Sequence, residues 1–113
     1  MSQALDICAL GEIPNDSAKG FSIGGNNQQR HIFIIRKTSQ IFAYENRCPH
    51  MGTSLDWQPD QFLDSENRLI QCSTHGALFR IEDGLCIYGP CVNQSLIPIP
   101  VEIQGDRVCI LSS

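Results

Sequence analysis

Two short segments of the chain each bring a cysteine and a histidine close together. Cys48 and His50 flank a proline, and Cys72 and His75 are separated by two residues. Each segment offers one thiolate and one imidazole, so one tight loop can direct both side chains at the same metal centre. Two cysteines and two histidines form a ligand set for tetrahedral zinc or for a two-iron cluster with mixed ligands.

The order of these ligands distinguishes the two kinds of site. Structural zinc sites usually group like ligands, with Cys near Cys and His near His. Here Cys-x-His is followed by 21 residues (51–71) and then by Cys-x-x-His. This order is that of the Rieske [2Fe–2S] centre, in which two cysteines hold one iron and two histidines hold the other.

The chain resembles a Rieske protein from about residue 5 to residue 111. Residues 48–52 (Cys-Pro-His-Met-Gly) resemble the first cluster loop of the family, and residues 72–76 (Cys-Ser-Thr-His-Gly) resemble the second. Residues 89–90 (Gly-Pro) fall where the family has a third loop that covers the cluster. The resemblance implies one [2Fe–2S] cluster per chain, with two cysteine ligands to the inner iron and two histidine ligands to the outer, solvent-facing iron: Cys48, Cys72, His50 and His75.

Departures from the respiratory members of this family indicate the subgroup. Those proteins brace the two loops with a disulfide, whereas the corresponding positions here are Thr53 and Thr74. They also use a serine and a tyrosine hydroxyl to hydrogen-bond the sulfurs, where this chain has Ala77 and Phe79. Fewer donors leave the reduced state less stabilised, so we expect a potential toward the low end of the roughly −150 to +300 mV Rieske range. This pattern resembles the soluble Rieske-type ferredoxins.

Length and charge limit the classes of function. The chain has 113 residues and a mass of 12.6 kDa, so we expect one domain over 1–113, with the cluster-binding region at about 46–91. Eight Lys+Arg against twelve Asp+Glu give a net charge of −4, which argues against nucleic acid or an anionic membrane as the partner. The longest aliphatic or aromatic run, 32–35, is far too short to span a bilayer. The N-terminus does not resemble a signal peptide, so we expect a cytoplasmic protein.

Short β-type segments separated by turn residues recur along the chain. They predict an all-β fold, a Rieske-like antiparallel β sandwich or small barrel, with a cluster-binding subdomain formed by two loops at 47–59 and 72–76. Residues 59–67 are polar, which predicts an exposed excursion. The predicted strands are 5–10, 21–23, 30–37, 40–45, 68–72, 77–81, 85–88, 97–103 and 107–111.

The remaining cysteines and histidine have plainer interpretations. Cys8, Cys86, Cys91 and Cys109 lie in or beside apolar strand patterns, which favours buried thiols. Cys86 and Cys91 are also close enough in sequence for a disulfide. His31 lies in a strand and is interpreted as a surface or hydrogen-bonded residue. Six acidic residues allow a docking face, but scattered surface charge is the more common explanation: Asp56, Asp60, Asp64, Glu66, Glu82 and Asp83.

The histidine count excludes one catalytic role. The mononuclear iron of a Rieske oxygenase needs two further histidines and a carboxylate. The chain has three histidines, and two are assigned to the cluster, which leaves one. We therefore expect an electron-transfer protein rather than an enzyme, a soluble one-electron carrier between a flavin-dependent reductase and a terminal oxygenase or similar enzyme.

Two alternatives remain open from the sequence. The chain is also similar to the small Rieske subunit of assimilatory nitrite reductases, which would make it a stable part of a larger enzyme. A zinc-stabilised interaction module would use the same four ligands without visible absorption, and chelators would unfold it.

Overall fold

The described part of the chain folds into three antiparallel sheets of three strands each. The computed structural model describes residues 4–23, 30–37, 40–47, 55, 62–64, 66, 68–72, 76–89 and 92–111. No helix in these ranges is long and apolar enough to cross a membrane. The described strands are β1 (Ala4–Ala9), β2 (Ser17–Ile23), β3 (Arg30–Lys37), β4 (Gln40–Glu45), β5 (Leu69–Gln71), β6 (Leu78–Arg80), β7 (Cys86–Tyr88), β8 (Val101–Gln104) and β9 (Arg107–Leu111), with a 3₁₀ turn at Leu10–Glu12.

The order of the strands defines the three sheets. The terminal sheet has the order β1-β9-β8, the central sheet β2-β3-β4, and the loop-side sheet β5-β6-β7. Two backbone hydrogen bonds join β4 to the segment that leads into β8, from Glu45 to the Ile97 carbonyl (2.9 Å) and from Ile99 to the Ala43 carbonyl (2.9 Å). The prediction of an almost entirely antiparallel β fold is confirmed.

Strand β3 is the common wall of two hydrophobic cores. Ile32 and Ile34 are wholly buried in a cluster shared with the terminal sheet. Phe33 and Ile35 are wholly buried on the opposite face, in a cluster shared with the loop-side sheet. Because both faces are covered, this strand is a continuous apolar run, whereas a strand with one solvated face alternates apolar and polar residues.

The clearest matches to the predicted strands are β3 and β4, whose bounds agree with prediction. Lys37 pairs with Gln40, which confirms a two-residue connection between these strands, although residues 38–39 themselves lie outside the described part. The predicted strand 97–103 is shorter, and begins at Val101. Pro98 and Pro100 lack the N–H groups that a continuous ladder needs. Before Val101, Ile97 and Ile99 therefore make single bonds to β4, and Pro100 contributes only its carbonyl, which accepts from Leu111.

The prediction of an exposed excursion at 59–67 is wrong for its centre. Phe62 is wholly buried, and its ring stacks on that of Phe33 with 4.4 Å between centroids. Gln71 donates its backbone N–H to the Phe62 carbonyl (2.8 Å), so residues 62–64 run alongside β5. Phe62 therefore inserts into the core and Leu63 packs against the same cluster, because burial of these side chains outweighs the polarity of the rest of the segment.

Candidate metal centre

Cys72 lies directly after β5 and is wholly buried. Its N–H donates to the Ala77 carbonyl (2.8 Å), and its carbonyl accepts from Gly76 (3.0 Å), which closes a tight return of the chain. Gly76 has φ of +66°, a left-handed conformation that glycine adopts without strain. The other three predicted ligands, Cys48, His50 and His75, lie outside the described residues.

One side chain joins the described residues on either side of the first Cys-x-His motif. Asn46 Oδ1 accepts a hydrogen bond from the Leu55 N–H (2.7 Å), while the Asn46 N–H donates to the His31 carbonyl (2.8 Å). Leu55 is wholly buried in the same hydrophobic cluster as Cys72 and Ala77. Leu55 of the first loop and Cys72 of the second thus pack in the same hydrophobic cluster.

The third predicted loop begins against the second. Gly89 has φ of +107°, and a Cβ at this position would lie 2.8 Å from Ala77 Cα and 2.9 Å from Ala77 Cβ. The backbone of Gly89 is therefore in direct contact with the end of the turn that Cys72 opens. Pro90 lies outside the described residues.

The described side chains around Cys72 supply no charge and no spare hydroxyl. Ala77 and Phe79 are wholly buried, and neither can donate a hydrogen bond from its side chain. Tyr44, in the same cluster, donates its hydroxyl to the Ile81 carbonyl (2.6 Å). Burial raises the pKa of Tyr44 to about 12, with a smaller contribution from nearby carboxylates, so this hydroxyl stays protonated.

These features fit an iron–sulfur cluster. A cysteine binds cluster iron as a thiolate, and Cys72 is a buried cysteine of an apolar cluster, at the start of a tight return of the chain. The sequence-based reasoning missed Asn46 and Leu55 as the closure of the first loop. An Asn just before a loop is a weak signal, because its side chain bonds to nearby backbone in many contexts.

The other cysteines have the plain role that was predicted for them where they are described. Cys8, Cys86 and Cys109 are buried, and burial raises the pKa of the Cys8 thiol. The Cys86 thiol donates to the Tyr88 carbonyl (3.2 Å), whereas Cys91 lies outside the described residues.

His31 and the described acidic residues are engaged locally. His31 Nδ1 lies 2.9 Å from Ser22 Oγ, a cross-strand hydrogen bond. Asp64 Oδ1 accepts two backbone N–H groups, and Glu66 pairs with a neighbouring arginine. The hydrogen bond from Arg80 lowers the pKa of Asp83 to about 2. Glu82 is exposed, while Asp56 and Asp60 lie outside the described residues. Asp64, Glu66 and Asp83 therefore bind neighbouring groups of the chain, as scattered surface charges do.

Comparison with protein families identifies the class of protein. Residues 3–104 match the family described as Rieske [2Fe-2S] domain. The chain belongs to this family, and its cofactor is one [2Fe–2S] cluster. The predictions of a Rieske protein and of this cofactor are confirmed.

Solved structures with a similar fold include ferredoxins. The ferredoxin of carbazole 1,9a-dioxygenase from Nocardioides aromaticivorans IC177 has a TM-score of 0.76 at 19% identity, over 96% of each chain. The Sphingomonas yanoikuyae B1 ferredoxin has a TM-score of 0.74 at 22% identity, over 98% of this chain and 100% of its own. A chain from the complex of reduced oxygenase and oxidized ferredoxin in carbazole 1,9a-dioxygenase has a TM-score of 0.74 at 23% identity, over 95% of this chain and 91% of its own. No curated protein matches the chain significantly.

Proposed function

We propose that the chain is a Rieske-type ferredoxin, a one-electron carrier between a flavin-dependent reductase and a terminal oxygenase. The observation that carries this proposal is the match of residues 3–104 to the Rieske family. The similarity of the fold to that of solved ferredoxins, over 96–98% of the chain, supports it. The bound cluster supplies reversible uptake of a single electron. The protein supplies a rigid β scaffold and an apolar surround.

For the cluster ligands we propose Cys48 and Cys72 at one iron and His50 and His75 at the other. The order of these residues in the sequence and the burial of Cys72 support this set. Family membership favours iron and sulfide over zinc. We also propose that Leu55, Ala77 and Phe79, which are wholly buried, exclude water from the inner side of the site.

The reductase and the oxygenase are proposed partners. Related ferredoxins occur in complexes with an oxygenase, which supports the acceptor. The reductase follows from the requirement for an electron donor. We propose the cytoplasm as the compartment, because Cys8 and Cys109 are free thiols, as is usual in a reducing environment.

The test of the cluster assignment compares two cysteine variants. After anaerobic reconstitution, wild-type protein should contain two irons and two sulfides per chain, show visible absorption, and give an electron paramagnetic resonance signal once reduced. Cys72→Ser should lose the cluster, because it removes a ligand. Cys109→Ser, which changes a buried cysteine of the terminal sheet, should retain it.

The outcomes separate the proposal from its alternatives. One zinc per chain and no colour would refute the iron–sulfur site. An intact cluster in Cys72→Ser would refute this residue as a ligand. Stable co-purification with one large enzyme subunit would indicate a fixed subunit instead of a mobile carrier.

A further inference from the structure

Three of the four most exposed large hydrophobic side chains in the described ranges flank the third loop. Ile87 is 46%, Tyr88 64% and Val92 47% exposed. We call these three residues the third-loop patch. The fourth, Ile97 (51%), lies instead on the segment that pairs with β4. Exposed apolar side chains that gather at one place mark an interaction surface more often than isolated ones do.

A β-bulge turns this patch outward. Tyr88 pairs with Leu78 and Cys86 with Phe79, so Ile87 is the extra residue of β7. Cys86 and Phe79 point into the core, which leaves Ile87 and Tyr88 to face solvent. Bulges often redirect a side chain next to a functional site.

The described segments next to the patch carry no charged side chain. Residues 48–55, 69–79 and 84–101 contain no Asp, Glu, Lys or Arg. The charged pairs of the loop-side sheet, Arg80 with Asp83 and Arg68 with Glu66, lie at its opposite end, beside the turn between β6 and β7 and before β5. The second predicted loop and the segment that carries the patch therefore contribute nothing to the net charge of −4.

The patch also adjoins the metal centre. Gly89 follows Tyr88 directly, and its backbone contacts Ala77, which is hydrogen-bonded to Cys72. A redox partner that covers the patch therefore lies beside the second cluster loop.

We propose that the third-loop patch is the docking surface for the terminal oxygenase, and that it binds an uncharged, apolar area on that protein. This inference rests on the proposed function. The oxygenase is the occupant because a ferredoxin of this fold has been solved in complex with one. Such docking gains little from electrostatic steering, so its rate should depend weakly on salt. A small apolar contact also suits a carrier that must release its partner quickly.

The experiment measures electron transfer from the reduced holoprotein to the oxygenase component of carbazole 1,9a-dioxygenase by stopped-flow absorbance. For wild-type protein, raising NaCl from about 20 to about 500 mM should change the second-order rate by less than about twofold. Tyr88→Ser and Ile87→Ser should each slow transfer by about tenfold, as expected for a contact at the centre of an interface. Ile97→Ser is the matched control, and should stay within about twofold of wild type.

A second acceptor distinguishes failure of docking from failure of the carrier role. Reoxidation by ferricyanide needs no docking, so it should be equally fast in all variants. Loss of this reaction would contradict the proposed function itself. With ferricyanide reoxidation intact, three results would each overturn the docking surface: no transfer from wild-type protein to the oxygenase, a steep dependence on salt, or equal slowing by Ile97→Ser. Dimerisation in analytical ultracentrifugation that Tyr88→Ser abolishes would assign the patch to a second copy of the chain.

Discussion

We propose that Ala77 occupies the position at which a hydroxyl would stabilise a reduced cluster. Ala77→Ser should raise the midpoint potential by about 60–120 mV, because a hydrogen bond to a charged group contributes about 1.5–3 kcal/mol and 1.4 kcal/mol corresponds to about 59 mV for one electron. Protein-film voltammetry measures the change. Ala43→Ser makes the same substitution at a buried site in the other hydrophobic cluster, and should leave the potential unchanged. Equal potentials in Ala77→Ser and wild type would show that the hydroxyl does not reach the cluster.

The Tyr44 hydroxyl gives the fold a dependence on alkaline pH. Its pKa is about 12 in the folded chain against about 10 in the unfolded chain, so the protonated form is favoured by folding. The contribution of this group is therefore complete below pH 10 and is lost as the pH rises toward 12. Urea unfolding of wild-type protein between pH 8 and pH 11 should show this decline.

In Tyr44→Phe the free energy of unfolding should fall less steeply between pH 8 and pH 11, because the titrating hydroxyl is absent. At pH 8 it should lower the free energy of unfolding by about 1–3 kcal/mol, because the buried Ile81 carbonyl loses its donor. A variant that declines with pH as steeply as wild type would assign the alkaline transition to other groups.

The proposal of Cys72 and His75 as ligands was accessible from the sequence, because it rests on residue type and spacing. The closure of the first loop by Asn46 was not, since it depends on where the chain returns at Leu55.

Among the elements, the turns at the edge of the loop-side sheet depend on glycine. Gly89→Ala should destabilise the protein by several kcal/mol and hasten cluster loss, since its Cβ would overlap Ala77. Gly105→Ala is the control, because Gly105 also has a positive φ (+63°) but no atom lies within 4 Å of the added Cβ. Its cost should be confined to backbone strain of about 1 kcal/mol. Thermal unfolding and the decay of visible absorbance measure both variants, and equal effects would refute the close approach.

Strands were predictable where local signals agree with the fold. β3 and β4 combine β-branched and aromatic runs with a short polar connection, so their bounds matched. The strand-like pairing of residues 62–64 was missed, because the single apolar pair Phe62–Leu63 between polar residues gives no periodic pattern. Its position is decided by the ring of Phe33, a distant residue in sequence.

The whole molecule is organised by the two faces of β3. Ile34 and Ile35 are adjacent, wholly buried, and belong to different cores. Ile34→Val and Ile35→Val should each lower the free energy of unfolding by about 1 kcal/mol, as the loss of one buried methyl group does. Only Ile35→Val should also accelerate cluster loss, because Ile35 shares its core with Cys72. Urea unfolding and iron release to a chelator measure the two effects, and equal iron release would show that the cores act as one.

This three-sheet arrangement could be predicted only as a class. The alternation of short strands and turns predicts antiparallel sheets, but which sheet covers which face of β3 depends on contacts across the whole chain. The run Ile32–Ile35 signals burial on both faces without identifying what covers them.

Two consecutive residues, Leu96 and Ile97, connect the loop-side and central sheets by hydrogen bonds. Leu96 donates its N–H to the Gly84 carbonyl (3.0 Å), and the Ile97 carbonyl accepts from Glu45 (2.9 Å). Hydrogen bonds from adjacent residues thus hold the loop-side sheet and the central sheet at a fixed distance from each other. The proposed carrier would therefore present these two sheets to a partner as one preassembled unit.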